Sequence, residues 1–308
     1  MVVDADIRAF VAANDLTERS SVRATGHTGA VLVLYGTLSV AGFAVHRWPV
    51  WVLLWLAQAC VLVGSYSAMH EAAHATLYPS RGANRVAGVL WASSILMNWS
   101  LWRSFHLEHH AHTGSDRDPK LKHRLTIRHP AQYAALPIGG LAFLAEFWGQ
   151  SIGALAGRPP AFVPGSRHRA VRRDGIALIA ASTAMVVGLV VAPHLVLVVW
   201  VMPLVLTYCV VLPATGMSEH YGCDADGSAF DTTRTVVSNR LFRFLVWNNN
   251  FHGVHHLLPA VPFHHAPAVH AYIEPRMRHL SPSYLRFHGE ILGATRIRRS
   301  TSQLPHVP

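Results

Sequence analysis

Charge is scarce in this sequence: Asp, Glu, Lys and Arg make up 14 % of its 308 residues, hydrophobic residues 51 %, and mean hydropathy is positive at +0.26. Soluble domains carry about 25 % charged residues, so there is too little charge to cover a water-exposed globule. A membrane protein is the first class to test. Cysteine is nearly absent. Cys60, Cys209 and Cys223 form no CxxC pair, and two of them lie inside apolar runs, which argues against a disulfide framework and against a thiolate metal site. The segment 1–28 carries Asp4, Asp6, Asp15 and Glu18 and no continuous apolar core, so it does not read as a cleaved signal peptide.

The charge that is present leans positive, with a net value of +10, and it is clustered. Arg158, Arg167, Arg169, Arg172 and Arg173 fall together with no acid before Asp174. Beside apolar segments such a cluster marks the cytoplasmic side of a membrane more often than a nucleic-acid surface, so no nucleic-acid partner is expected. Four stretches are long and apolar enough, or nearly so, to cross a bilayer core of about 30 Å: Gly29 to Val45, Val50 to Met69, Gly175 to Ala192, and Leu195 to Ala214. The first two meet at a tight His46-Arg47-Trp48-Pro49 turn and the last two at Pro193-His194, which predicts two transmembrane hairpins. Two weaker segments, Val86 to Trp99 and Ala131 to Leu155, are short or interrupted by Pro137, Gly139, Gly140, Glu146 and Gln150, and suit the membrane interface. With a cytoplasmic N-terminal segment (1–28), the hairpins put the middle of the chain and everything after Thr215 on the cytoplasmic side as well. The basic C-terminal tail (281–308) falls there too, and the whole chain (1–308) reads as one domain.

Histidine gathers where the apolar stretches end. Residues 70–74 read HEAAH, residues 106–110 HLEHH, and residues 252–256 HGVHH. On a helix, positions i and i+4, or i, i+3 and i+4, project from one face, so each box is expected to aim its imidazoles in a single direction. With 22 histidines in 308 residues, chance supplies roughly 0.1 HxxHH patterns per chain, and two are present. Packing does not explain eight histidines at such spacing. Their nitrogens exceed the four ligands that one zinc ion takes and suit two transition-metal ions, for which iron, zinc, copper and nickel all accept imidazole.

The three boxes around four apolar spans resemble the integral-membrane fatty acid desaturase and hydroxylase superfamily. The phrases HLEHHAHTGSDRDPK and FHGVHHLLPAVPFHH are similar to recurring phrases of that family, and the resemblance covers roughly Met69 to His270. It implies an all-α membrane protein whose cytoplasmic helical cap holds a non-haem di-iron centre. That centre would use O2 to remove hydrogen from a fatty acyl or other lipid-like chain. By position the ligands would be His70, His74, His106, His109, His110, His252, His255 and His256, with His220 of GMSEHYG as the ninth. Glu71, Glu108, Glu219 and Asn248 lie near these histidines, where carboxylates and amides often orient imidazole rings. Asp116, Asp118 and the phrase DTTRT at residues 231–235 match the family's pattern without suggesting a role, while His112, His264 and His265 fall outside ligand spacing.

Three other readings compete. HEAAH is also the HExxH signature of a zinc protease, with Glu71 as general base, but that leaves both HxxHH boxes without work. A soluble carboxylate-bridged di-iron bundle needs two Glu-x-x-His motifs, and only Glu71 to His74 has that spacing among these boxes. Hydroxylases and ketolases of the same superfamily share the first hydrogen removal, and the choice between outcomes rests on substrate placement. Neither an HPGG haem phrase nor a four-cysteine iron–sulfur pattern occurs, so electrons are expected from a separate ferredoxin or small cytochrome with its reductase.

Overall fold

A computed structural model of the chain describes residues 3–45, 47–120 and 127–302. The expected turn at His46 therefore falls partly outside the described residues, as does the end of the basic tail. After a short α1 (Ala5–Ala13), α2 (Ser21–Ala44) begins at Ser20, whose hydroxyl accepts the Arg23 amide and satisfies one of the donors a helix start leaves open. α3 (Trp48–Ala73) follows with Pro49 in its first turn. At 1.5 Å per residue its 26 residues reach about 39 Å, longer than the bilayer core. The apolar run ends at Met69, and the last turn of the same helix carries His70 and its neighbours. Arg103 Nε then caps the α3 end by donating to the Ala73 carbonyl at 2.7 Å.

The middle of the chain forms α4 (Arg81–Ser94) and α5 (Trp99–His112), separated by a turn in which Leu96 takes φ of 54°. A short α6 (Pro130–Ala134) precedes α7 (Leu136–Leu155), so the weaker apolar segment expected at 131–155 breaks at Ala135. Interrupted by Glu146 and Gln150, α7 is not among the four described helices that are long and apolar enough to cross a membrane; those are Ser21–Ala44, Trp48–Ala73, Gly165–Val191 and Pro193–Ser218. Each is extended by two to ten residues beyond the stretch that hydropathy marks at one end or both, because backbone hydrogen bonding does not stop where apolarity does.

The third of these contains α8 (His168–Val191), and the fourth is α9 (Pro193–Ser218). α9 widens into π-turns at Leu197–Val201 and Thr207–Val211. Pro203 cannot donate to Val199 four residues earlier, and the Tyr35 hydroxyl of α2 takes up that carbonyl at 2.7 Å. α3 sits at the centre of the bundle: 56 % of its apolar window is buried, against 17 % for α2 and 22 % for the Gly165–Val191 helix. Gly140 lets α7 approach α9 so closely that a Cβ there would lie 1.8 Å from the Tyr208 carbonyl oxygen. Asp174 ties α4, α5 and α8 together, pairing with Arg85 at 2.5 Å and accepting from the Ser100 amide and hydroxyl.

The rest of the chain builds a cap over one end of this bundle. It comprises α10 (Ala229–Thr232), β1 (Arg234–Val236), α11 (Arg240–Leu245), α12 (His252–Leu257), α13 (Ala266–Ile273), β2 (His279–Ser281) and α14 (Tyr284–Ser302). β1 and β2 pair in parallel, Arg234 opposite His279. Ile7 and Val11 of α1 enter the same apolar cluster as Val254, Leu257, Val269 and Ile273, so the N-terminal helix packs on the cap.

Candidate metal centre

The nine sequence-predicted histidines meet between the C-terminal ends of α3 and α9, the C-terminal half of α5, and α12. They fall into two groups, one of His70, His74, His106, His110 and His255, the other of His109, His220, His252 and His256, and within each group the ligand atoms lie within 4.8 Å of one another. The expectation that each box aims in one direction is corrected. Histidines at i and i+4 do share a group: His70 with His74, His106 with His110, His252 with His256. The histidine at i+3 goes to the other group, His109 in box two and His255 in box three. Adjacent residues on a helix are about 100° apart, so a box helix running between two centres can serve both.

The imidazoles converge through Nε2. His70 Nε2 lies 2.9 Å from the Nε2 of both His106 and His255, His106 Nε2 2.8 Å from that of His74, and His255 Nε2 2.7 Å from that of His110. In the second group His220 Nε2 lies 3.2 Å from His109 Nε2 and 3.0 Å from His252 Nε2. His256 Nε2 is buried with no hydrogen-bond partner among the described residues. Burial above all, then the charge that neighbouring imidazoles would carry, holds His106, His110, His252, His255 and His256 well below the ordinary histidine range. His74 is pushed down to about 3 by burial and then by Arg103. All six are neutral at pH 7, the form in which imidazole binds a metal.

Two partners fix ring tautomers from outside. His109 Nδ1 lies 2.9 Å from Asp118 Oδ1, and His220 Nδ1 lies 2.9 Å from the Thr232 carbonyl oxygen. Both acceptors require an Nδ1–H, which leaves Nε2 bare toward the group. Burial alone would raise the Asp118 pKa, but the His109 hydrogen bond and the Gly114 and Lys120 amides bring it below the ordinary value. Trp102 stacks on His106 with ring centroids 4.7 Å apart.

Compared with known proteins, the sequence profile of the fatty acid desaturase family matches residues 46–288, a span that includes every histidine of both groups. The chain belongs to the fatty acid desaturase family. It is 28 % identical to the acyl-lipid (9+3)-(E)-desaturase of Dimorphotheca sinuata, over 85 % of this chain and 78 % of that protein. It is 29 % identical to the dihydrorhizobitoxine desaturase of Bradyrhizobium elkanii, over 67 % of this chain and 64 % of that one. With the temperature-sensitive sn-2 acyl-lipid omega-3 desaturase (ferredoxin), chloroplastic, of Arabidopsis thaliana it shares 23 % identity, over 85 % and 65 % respectively. The chain spans little more than half the length of three chloroplast omega-3 fatty acid desaturases that it also matches.

In this desaturase-family chain the four supporting residues expected from sequence take different places. Glu71 Oε2 accepts from the Thr76 hydroxyl at 2.8 Å and the Phe263 amide at 3.0 Å, so it ties box one to the segment after box three. That leaves it poorly placed as a protease base. Glu108 faces outward to Arg117 and His112. Asn248 donates its amide to the Phe263 carbonyl, fixing a turn in which Trp247 and Asn248 both have left-handed φ. Glu219 alone of the four carboxylate and amide groups comes close to a ligand nitrogen, 3.8 Å from His252 Nε2, while it pairs with Lys120 at 2.5 Å. Sequence reasoning missed the orienting roles of Asp118 and of the Thr232 carbonyl. Asp118 stood in a recognised phrase, and its distance of nine residues from His109 is no helical spacing.

A cavity of about 480 Å³ opens against the histidines. His106, His220 and His252 line it beside Val63, Phe105, Phe143, Leu212 and Val246, and Lys120, Glu146, Glu219 and Arg234 also reach it.

Proposed function

We propose that the chain is a multi-pass membrane enzyme that uses O2 to introduce a double bond into a fatty acyl chain. The nine histidines hold two iron ions, with His70, His74, His106, His110 and His255 on one and His109, His220, His252 and His256 on the other. The observation that carries this reading is the pair of imidazole groups, five and four strong, with neighbouring Nε2 atoms 2.7–3.2 Å apart. Metal–nitrogen bonds of about 2.1 Å set about 3.4 Å apart around a tetrahedral ion and about 3.0 Å apart at right angles. The observed spacing favours right angles, and five donors in one group exceed a tetrahedral shell. Iron in such a site supplies the activation of O2 and the removal of hydrogen from an unactivated carbon.

The chain's own residues do the rest. Asp118 and the Thr232 carbonyl hold His109 and His220 in the tautomer that presents Nε2, burial keeps His74, His106, His110, His252, His255 and His256 neutral, and the apolar wall of the cavity binds the chain beside them. Arg169, Arg172 and Arg173 at the start of α8 support a cytoplasmic face for this end of the bundle. A basic face also suits an acidic electron donor, and one relative carries ferredoxin in its name. Expression in a host of known lipid composition, followed by mass spectrometry, tests the reaction: loss of two hydrogens supports it, an added oxygen replaces it with hydroxylation. Metal analysis of the purified chain tests the centre, with two irons per chain expected, and zinc retained with activity overturning it.

A second reading, action on a smaller, more polar metabolite, is favoured by Lys120, Glu146 and Arg234 at the cavity and by the relative named for dihydrorhizobitoxine. An unchanged lipid profile with a new oxidised metabolite would decide for it.

A further inference from the structure

The two histidine groups are unequal, and the carboxylate nearest the smaller one approaches from an unusual side. A residue that merely orients a metal-bound histidine binds the outer ring nitrogen, as Asp118 does at His109 Nδ1. Glu219 is instead 3.8 Å from Nε2 of His252, the inner nitrogen, which is itself 3.0 Å from His220 Nε2. Its side chain is nearly buried, at 15 % exposure, and it borders the cavity together with His106, His220 and His252. The backbone brings it there because Glu219 directly precedes His220 at the end of α9, and its carbonyl is held by the Arg234 amide at 2.8 Å. The carboxylate is occupied by Lys120, whose Nζ lies 2.5 Å from the same oxygen, Oε2. Two donors at about 2.1 Å from one ion are about 3.0 Å apart at right angles and further apart at wider angles, so 3.8 Å from His252 Nε2 is compatible with a common ion. Glu219 stands outside the set of four whose ligand atoms are all within 4.8 Å of one another, so ligation requires its side chain to swing from Lys120 toward the group.

We propose that Glu219 is a metal ligand of the four-histidine group, exchanging between that group and the Lys120 ammonium. It would bring the smaller group to five protein donors, equal to the larger, and would free a coordination position at the cavity whenever Lys120 holds it. This rests on the two-metal reading above.

The test uses the full iron-loaded chain in detergent, with ferrozine as chelator and iron release followed by absorbance. Glu219→Ala is expected to release one of its two irons about tenfold faster than the unaltered chain. Acetate added to that variant slows the release again by filling the vacated position. Lys120→Met is expected to release iron more slowly, since the carboxylate then has no competing partner. A structural ion pair would make both substitutions weaken retention alike, and a general charge effect would give Glu219→Ala a loss that acetate does not reverse. Either result overturns the proposal, as does release from Glu219→Ala at the unaltered rate. An unaltered chain that holds fewer than two irons overturns the two-metal reading and this proposal with it, whereas two irons with any of the preceding results overturns the role of Glu219 alone.

Discussion

At the scale of single residues, the centre depends on which ring nitrogen each histidine offers, and that is decided by groups outside the two clusters. Asp118 accepts from His109 Nδ1 with a carboxylate that is itself held by the Gly114 and Lys120 amides. Asp118→Asn keeps the shape and removes the charge, and the amide can turn its donor toward the ring, so His109 loses the preference that exposes Nε2. A fall of about 10- to 100-fold in affinity for the metal proposed at the four-histidine group is expected, measured as metal retained after dialysis against a chelator. Glu108→Gln, facing Arg117 and His112, is expected to leave retention unchanged. The histidine spacing was legible in the sequence, and so was each box. The tautomer control was not. One acceptor is a loop carboxylate with no periodic relation to its histidine, and the other is a backbone carbonyl, which every residue possesses.

At the scale of elements, α9 shows why hydropathy finds a span and misses its shape. Its sequence reads as a plain apolar run, yet Pro203 cannot donate to the Val199 carbonyl four residues earlier, and Tyr35 supplies a donor from α2. Tyr35→Phe removes that hydrogen bond, at a cost of about 0.5–1.5 kcal/mol, which a lowered thermal unfolding midpoint in detergent would reveal. The place of α7 was equally illegible. Pro137, the glycines and Glu146 read as interruptions, whereas Gly140 is the point where α7 meets α9 at backbone distance. Gly140→Val is expected to force the two helices apart and destabilise by about 1–3 kcal/mol or more. Gly139→Ala, with open space around its Cβ, is expected to be tolerated; parallel melts of the two variants separate close packing from mere loss of a flexible residue.

At the scale of the whole molecule, the centre ties stability to pH. Histidines buried in neutral form have a folded pKa far below the unfolded value near 6.5. Their contribution is therefore complete above about pH 6.5 and is lost as pH falls from there toward about 3, the value for His74. Each such histidine adds a slope of up to about 1.4 kcal/mol per pH unit. The metal-free chain is expected to melt markedly lower at about pH 5.5 than at about pH 7.5; equal midpoints would show that these imidazoles are already wet or charged. Four helices long and apolar enough to cross a membrane and three histidine boxes could be read from composition and spacing, and the cap was implied by the family resemblance. The assembly that makes the centre could not, because it joins residues as far apart as His70 and His255 through helix packing alone.

The length of α3 has a mechanical consequence. Gly64 is pinned where a Cβ would strike the Leu245 carbonyl oxygen, and His70 begins the first box two turns later on the same rigid rod. One residue added between them would lift the box about 1.5 Å and rotate it by about 100°, pointing both imidazoles away from their neighbours. This stretch therefore works as a phase clock. Its length is fixed, since even a whole turn, which restores the direction, would lift the box by about 5.4 Å, and a one-residue insertion there should disarm the centre while leaving the helix long and apolar enough to cross a membrane.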